Sequence, residues 1–283
     1  MARPEQEVAA LPGILRKRGY ATLASHAHAP GFWNARERRE RYGFDEQLFA
    51  ADLGPGERVG LGLVDGEMLR RTAPRLTVLP RPWLGWLVTL TMHAPHPRVP
   101  SSFPRPALGP LEGTQTGNYL RKVRHTDDAL RELVSTLDAA GVLDSTLVVV
   151  YGDHSELRGL DLGWVEGRTG VGGLPPDVRR LLLDRVALVM VPPASWNGDG
   201  VGHSVEKPGG LLDIAPTVLH LLGVARPRPF MGRSLLGPEP GLVRSWRCRG
   251  SSRVSASARR WLGRGRPRGR RIPRPGAFWI RPA

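Results

Sequence analysis

The chain predicts an α/β fold, on three observations. Residues 145–151 form a short, continuous β-branched run, the pattern of a strand buried in a parallel sheet. Ahead of it, residues 118–141 place Leu130, Leu133, Val134 and Leu137 on one face at helical spacing, with Asn118 expected to cap the start and Gly141 the end. The link Val142-Leu143-Asp144 is short, so helix, tight turn and strand follow one another directly. Further on, residues 213–224 read as a second helix, with Pro216 suited to its first position and Val218, Leu219 and Leu222 forming its apolar face. Asp213 at its start is expected to be structural.

The strand of residues 145–151 ends in Gly152-Asp153-His154. In open α/β sheets ligands collect beyond the carboxyl ends of the strands, and Gly152 lets the chain turn there so that two adjacent side chains reach one point. Asp153 offers oxygen and His154 nitrogen, a pairing suited to Mn, Zn or Fe. An isolated Asp-His pair is more often a turn-capping carboxylate beside a half-buried imidazole. The helix and strand ahead of it favour the metal. Asp127 and Asp128 are expected on the exposed or capping side of their helix rather than at the metal.

Residues 118–156 resemble the alkaline-phosphatase superfamily, in particular the sulfatase-like branch of lipoteichoic acid synthases and phosphoglycerol or phosphoethanolamine transferases. Four further segments agree with that family in order and spacing. Residues 11–22 are similar to its helix leading to a "GY-x-T" strand, and residues 31–34 to its "FWN" headgroup-binding segment. Residues 88–95 are similar to its "T-x-x-x-H-x-P" strand end, and residues 210–224 to its "DIAPT" helix, followed by residues 232–236. The resemblance covers roughly residues 9–237. It implies an α/β/α sandwich of the alkaline-phosphatase and sulfatase type, truncated at its N-terminus.

It also implies a chemistry: transfer of a phosphoryl-linked group from lipid headgroups or cell-envelope glycans, or the related phosphoester hydrolysis, through a metal-bound Thr nucleophile. Asp153 and His154 are the expected metal ligands. The cofactor is a divalent metal, Mn first, with Zn or Mg as the other options. His93 is the expected partner of a phosphate oxygen or of a moving proton, against the plainer reading of a loop histidine; His96 is the weaker choice. Trp33 offers a flat apolar wall and Arg36 a bidentate phosphate clamp. The family places Arg directly after the "FWN" Asn, whereas here Ala35 intervenes. Its metal-binding Glu and Thr nucleophile precede the "GY-x-T" segment and are expected to be missing, so the enzyme is expected to be incomplete unless a second polypeptide supplies them. No "C/S-x-P-S/T-R" segment occurs, which disfavours sulfate-ester hydrolysis. The alternatives are a non-catalytic fragment or pseudoenzyme of the same fold and a polyanion-binding protein.

Charge bears on that last alternative. The net charge is +15, but residues 241–283 hold 13 Arg and no acidic residue, leaving +2 for residues 1–240. A domain over residues 1–240 and a disordered Arg/Gly/Pro-rich tail over residues 241–283 follow. Such a tail attracts polyanions, yet its composition is also what a shifted frame of GC-rich DNA yields. It is read as an extension, with no specific nucleic acid as partner. The single cysteine, Cys248, rules out an intramolecular disulfide. The apolar stretch at residues 83–90 is too short to span a bilayer, and no secretory signal is read. The parent family is membrane-anchored with an extracytoplasmic catalytic domain.

Overall fold

The computed structural model describes residues 8–155, 157–193, 196, 202 and 204–238. The tail expected over residues 241–283 lies outside the described residues.

The chain opens with helix α1 (Leu11–Arg16) and strand β1 (Ala21–His26), which a 3-10 turn at Phe32–Asn34 connects to α2 (Ala35–Tyr42). Then come β2 (Glu46–Leu48), α3 (Ala50–Leu53), the small hairpin β3 (Arg58–Val59) and β4 (Gly62–Leu63), α4 (Asp65–Thr77) and β5 (Trp83–Val88). The second half holds α5 (Gln115–Ala139), β6 (Val148–Tyr151), α6 (Leu162–Thr169), α7 (Pro176–Leu183), β7 (Leu188–Val191) and α8 (Ile214–Leu221). Two compact units result, one of residues 161–186 among those described and one of the rest. In the smaller unit, Asp161 caps α6 by accepting from the Trp164 amide at 3.0 Å, and Arg179 of α7 pairs with Glu166 at 3.3 Å.

In the larger unit β1 is the centre of a parallel sheet ordered β2-β1-β5, in register from Ala21 opposite Trp83 to His26 opposite Val88. That register brings the carboxyl ends of β1 and β5 out side by side. Leu23, Leu76, Leu79, Leu137 and Val142 form one buried cluster, and Leu63, Met68, Leu69 and Ala129 belong to a second. Each fully buried Leu contributes roughly 1.5–3 kcal/mol of transfer free energy. Gly62 is required where β4 meets β1, since a Cβ there would lie 2.1 Å from the Ala27 carbonyl oxygen.

Three local expectations are corrected. α5 starts three residues before Asn118, because Thr114 Oγ1 accepts from the Gly117 amide at 3.0 Å and so caps it; Asn118 is buried and donates instead to the His96 carbonyl. Gly141, with φ of 64°, follows the cap residue Ala140 at the helix end, as its freedom in that region suits. The strand β6 is not a buried parallel strand: it pairs antiparallel with β7, and Val150 and Tyr151 are 38% and 37% exposed. Apolar runs carry no information on strand direction. Pro216 sits at the third position of α8, where the missing N–H still has no helical partner to lose. Asp213 is structural, its carboxylate accepting from the Gly210 and Arg233 amides at 2.9 and 2.8 Å.

Candidate functional site

Beyond the end of β5 the chain turns at Leu90 and Thr91, and a buried carboxylate holds that turn. Asp65, the first residue of α4, accepts from the Leu90 and Thr91 amides at 2.8 and 3.0 Å and from Thr126 Oγ1 of α5 at 2.7 Å. The Asp65 amide donates to Thr91 Oγ1 at 2.8 Å. Three residues on, the His93 amide donates back to the Leu90 carbonyl at 3.0 Å. Lys122 of α5, fully buried, reaches the same loop and donates to the carbonyls of Pro95 at 3.1 Å and of His93 at 3.4 Å. Burial pulls the Lys122 pKa down to about 8, against the opposing pull of Asp65. His93 is thus carried by a loop that α4 and α5 both clamp.

The His93 ring meets the His154 ring edge-on with centroids 6.2 Å apart. His154 Nε2 lies 3.7 Å from Asp153 Oδ2, so His93, Asp153 and His154 gather past the ends of β5 and β6. The tautomers follow from the neighbours. His93 Nδ1 faces the Ala94 carbonyl and His154 Nδ1 the Ser155 carbonyl at 3.0 Å. A carbonyl only accepts, so each Nδ1 carries a proton, and in the neutral ring Nε2 is the acceptor.

Trp33 and Arg36 lie on the stretch that follows β1, in the 3-10 turn and in α2. Trp33 is 74% exposed, in the left-handed region with φ of 55°, and stacks on Phe32. Arg36 is exposed and lies with Cζ 4.9 Å from the Phe49 ring centroid, where it makes a cation–π contact. Among the described residues no ring contact, hydrogen bond or ion pair joins either to His93, Asp153 or His154. Asp127 and Asp128 pair with Arg124 and Arg131 along α5, away from any metal role.

The sequence reading missed Arg39 and the histidines of the β1 end. Arg39, one turn after Arg36, is buried between the rings of Phe49 and Trp86, 5.2 Å from each centroid, and among the described residues its Nη1 has no hydrogen-bond partner. Burial, and then Arg38, lower its pKa to about 10, which leaves it charged at neutral pH. His26 stacks at 5.9 Å on His28, which stacks at 3.8 Å on Phe32. Burial first, then Arg39 and His28, lower the His26 pKa to about 4. Trp86 continues the row, donating Nε1–H to the Tyr151 hydroxyl at 3.1 Å, two residues before Asp153. The i, i+3 spacing of Arg36 and Arg39 and the alternation of His26 and His28 were the available signals.

The donor set of Asp153 and His154 matches part of a divalent-metal site. Zinc-type bonds of about 2.0–2.2 Å place two donors roughly 3–4 Å apart, which the 3.7 Å separation of His154 Nε2 and Asp153 Oδ2 matches. The Nδ1–H to carbonyl bond of His154 is the orienting contact typical of a metal-bound imidazole. The pair fits two corners of a site; among the described residues no group of three or more His, Cys, Asp or Glu side chains is placed to hold a metal ion.

A parallel sheet flanked by helices, with histidines and a carboxylate gathered past the ends of β5 and β6, describes an α/β protein with a candidate polar site. The sequence pattern of the sulfatase family matches residues 2–224, and the chain belongs to that family, within the alkaline-phosphatase superfamily. It is 28% identical over 228 residues to lipoteichoic acid synthase 2 of Bacillus subtilis and 29% identical over 236 residues to the lipoteichoic acid synthase of Staphylococcus saprophyticus. Those alignments cover 78% and 81% of this chain and 33% and 35% of the relatives, so the chain spans about a third of the length of the curated relatives it matches. Among solved structures, the lipoteichoic acid synthase LtaP of Listeria monocytogenes superposes with a TM-score of 0.68 at 23% identity, covering 82% of this chain and 57% of that one. The periplasmic domain of EptC from Escherichia coli, described in complex with Zn, superposes with a TM-score of 0.52 at 15% identity, covering 79% and 64%. These likenesses show the fold, of the alkaline-phosphatase and sulfatase type.

Proposed function

We propose that this chain carries the phosphate-handling part of a metal-dependent phosphoglycerol or phosphoethanolamine transferase, or of a related phosphoester hydrolase, acting on lipid headgroups or cell-envelope glycans outside the membrane. The observation that carries the reading is the gathering of His93, Asp153 and His154 past the ends of β5 and β6, with both imidazoles turning Nδ1 to a backbone carbonyl and leaving Nε2 free of it. Asp153 and His154 would hold a divalent cation, Mn, Zn or Mg, which supplies charge neutralisation at a phosphate oxygen and lowers the pKa of a bound hydroxyl. His93 Nε2, when it carries a proton, donates to a phosphate oxygen or passes the proton to a leaving hydroxyl. Lys122 and Asp65 keep its loop in place for that exchange. Arg39, charged and held between Phe49 and Trp86, puts positive potential beside the β1 end. Trp33 and Arg36 serve as the outer wall and approach for the headgroup. No helix among the described residues is long and apolar enough to cross a membrane.

Titrating the full chain with Mn²⁺ and Zn²⁺ by calorimetry tests the reading. Two donors give weak binding, which Asp153→Ala and His154→Ala each remove and Asp127→Ala leaves intact. Unchanged binding in both of the first two variants refutes it.

A further inference from the structure

We propose that Trp86 is a positioning residue: its indole N–H, acting through Tyr151, holds the end of β6 so that Asp153 and His154 stand against His93. The proposal rests on the transferase reading and deepens it, naming what keeps the metal pair and His93 within reach of one phosphate.

The backbone does not set this placement. Among the described residues β5 pairs with β1 and β6 with β7, and no backbone hydrogen bond joins β5 to β6. A two-stranded hairpin is marginally stable by itself, so β6 and β7 take their position against β5 from other contacts. The start of β6 is fixed by the core: Val142 is buried in the cluster with Leu23 and Leu137, and the Thr146 hydroxyl donates to its carbonyl at 2.6 Å. The end of β6 is more open. The Gly152 amide donates to the Ala187 carbonyl at 3.0 Å, which continues the pairing toward β7 rather than β5. Two side-chain contacts cross from β5 and its loop: Trp86 Nε1–H to the Tyr151 hydroxyl at 3.1 Å, and the edge-on meeting of the His93 and His154 rings.

The first of these has the firmer origin. Trp86 sits on β5 in register opposite Ala24, and its ring stacks on Phe44 with centroids 5.7 Å apart and 15° between the planes. Arg39 Cζ lies 5.2 Å from the same ring. A ring held in this way fixes the direction of the indole N–H, which is the only donor of the side chain. Tyr151 is the last residue of β6, two before Asp153, so its hydroxyl ties the strand end to that donor. The meeting of His93 with His154 follows from the tie. Losing a neutral hydrogen bond corresponds to about two- to tenfold in an equilibrium constant.

The test uses the full chain and two variants: Tyr151→Phe removes the acceptor, and Trp86→Phe removes the donor while keeping a ring against Arg39. The first readout needs no metal. In histidine-labelled protein, nuclear cross-relaxation between the His93 and His154 ring protons is expected in the wild type and is expected to weaken in each variant. The second readout is calorimetry with phenyl phosphate, with and without Mn²⁺. Mn²⁺ is expected to tighten phenyl phosphate binding by the wild type, and each variant is expected to lose about two- to tenfold of that gain. The affinity for Mn²⁺ alone, set by two adjacent residues, and the melting temperature should stay unchanged, whereas a merely structural role would lower the melting temperature and leave the gain intact. The double variant should lose no more than either single one, since both remove the same bond. Ring cross-relaxation unchanged in either variant overturns the proposal, as does a phenyl phosphate gain that both variants retain in full. Cross-relaxation lost in both variants, combined with Mn²⁺ binding indifferent to Asp153 and His154, would keep the tie and sink the metal reading alone.

Discussion

Replacing Lys122 by Met isolates one buried charge beneath the His93 loop. The substitution removes an ammonium that donates to the Pro95 carbonyl at 3.1 Å and, more weakly, to the His93 carbonyl at 3.4 Å. Losing a charged donor to a buried carbonyl costs about 1.5–3 kcal/mol. Against that, the pKa of about 8 in the fold and 10.5 outside it means that keeping the ammonium charged in its site costs on the order of 3 kcal/mol. The two nearly cancel at pH 7, so Lys122→Met should fall within about 2 kcal/mol of the wild type there. Their pH dependence does not cancel. Between pH 8 and 10.5 the unfolded chain keeps the proton that the folded chain gives up, so the wild type gains stability as pH rises through that window and the variant does not. From pH 7 to pH 10 the difference between the two proteins should move by roughly 2–3 kcal/mol in favour of the wild type. Urea unfolding followed by tryptophan fluorescence at both pH values measures it, and taking the difference removes the titration of Tyr119 and other shared groups. A wild-type-minus-variant difference that stays flat from pH 7 to 10 would refute the buried-ammonium account.

Three other outcomes are expected. Asp65→Ala strands the Leu90 and Thr91 amides and the Thr126 hydroxyl and should cost roughly 3–6 kcal/mol in chemical denaturation, with Asp65→Asn losing clearly less; a loss below about 1 kcal/mol for the Ala variant contradicts the clamp. His26 takes its proton at about 4 when folded and at 6.5 when unfolded, so stability should rise with pH across that window and fall, by on the order of 3 kcal/mol at most, on acidification through it. His26→Asn should flatten that slope, and an identical acid profile in the variant would exclude His26 as its source. Gly62→Ala should lower stability by about 2–3 kcal/mol through the clash with the Ala27 carbonyl, while Gly31→Ala, with open space around it and φ of −75°, should stay within about 0.5 kcal/mol of the wild type in the same melting experiment.

What the sequence determined by itself is whatever depends on neighbours along the chain. The helix of α5 shows in its apolar spacing and in Gly141 at its end, because a helix repeats every few residues and stops where φ must turn positive. Asp153 and His154 share a locality because they are adjacent, and the family membership shows because several short segments keep their order. Only the tertiary structure decided the rest. The direction of β6 depends on β7, which starts 37 residues after β6 ends yet pairs with it over four residues, and an apolar run has no sign for parallel or antiparallel. Lys122 reads along the helix as one more cation, yet it is buried because two carbonyls of a distant loop lie within its reach. Arg39 rather than Arg36 is enclosed because Phe49 and Trp86, from different elements, close on it. Burial of charge is settled by what arrives from elsewhere in the chain to accept its hydrogen bonds or stack on its face, and local sequence does not encode those partners.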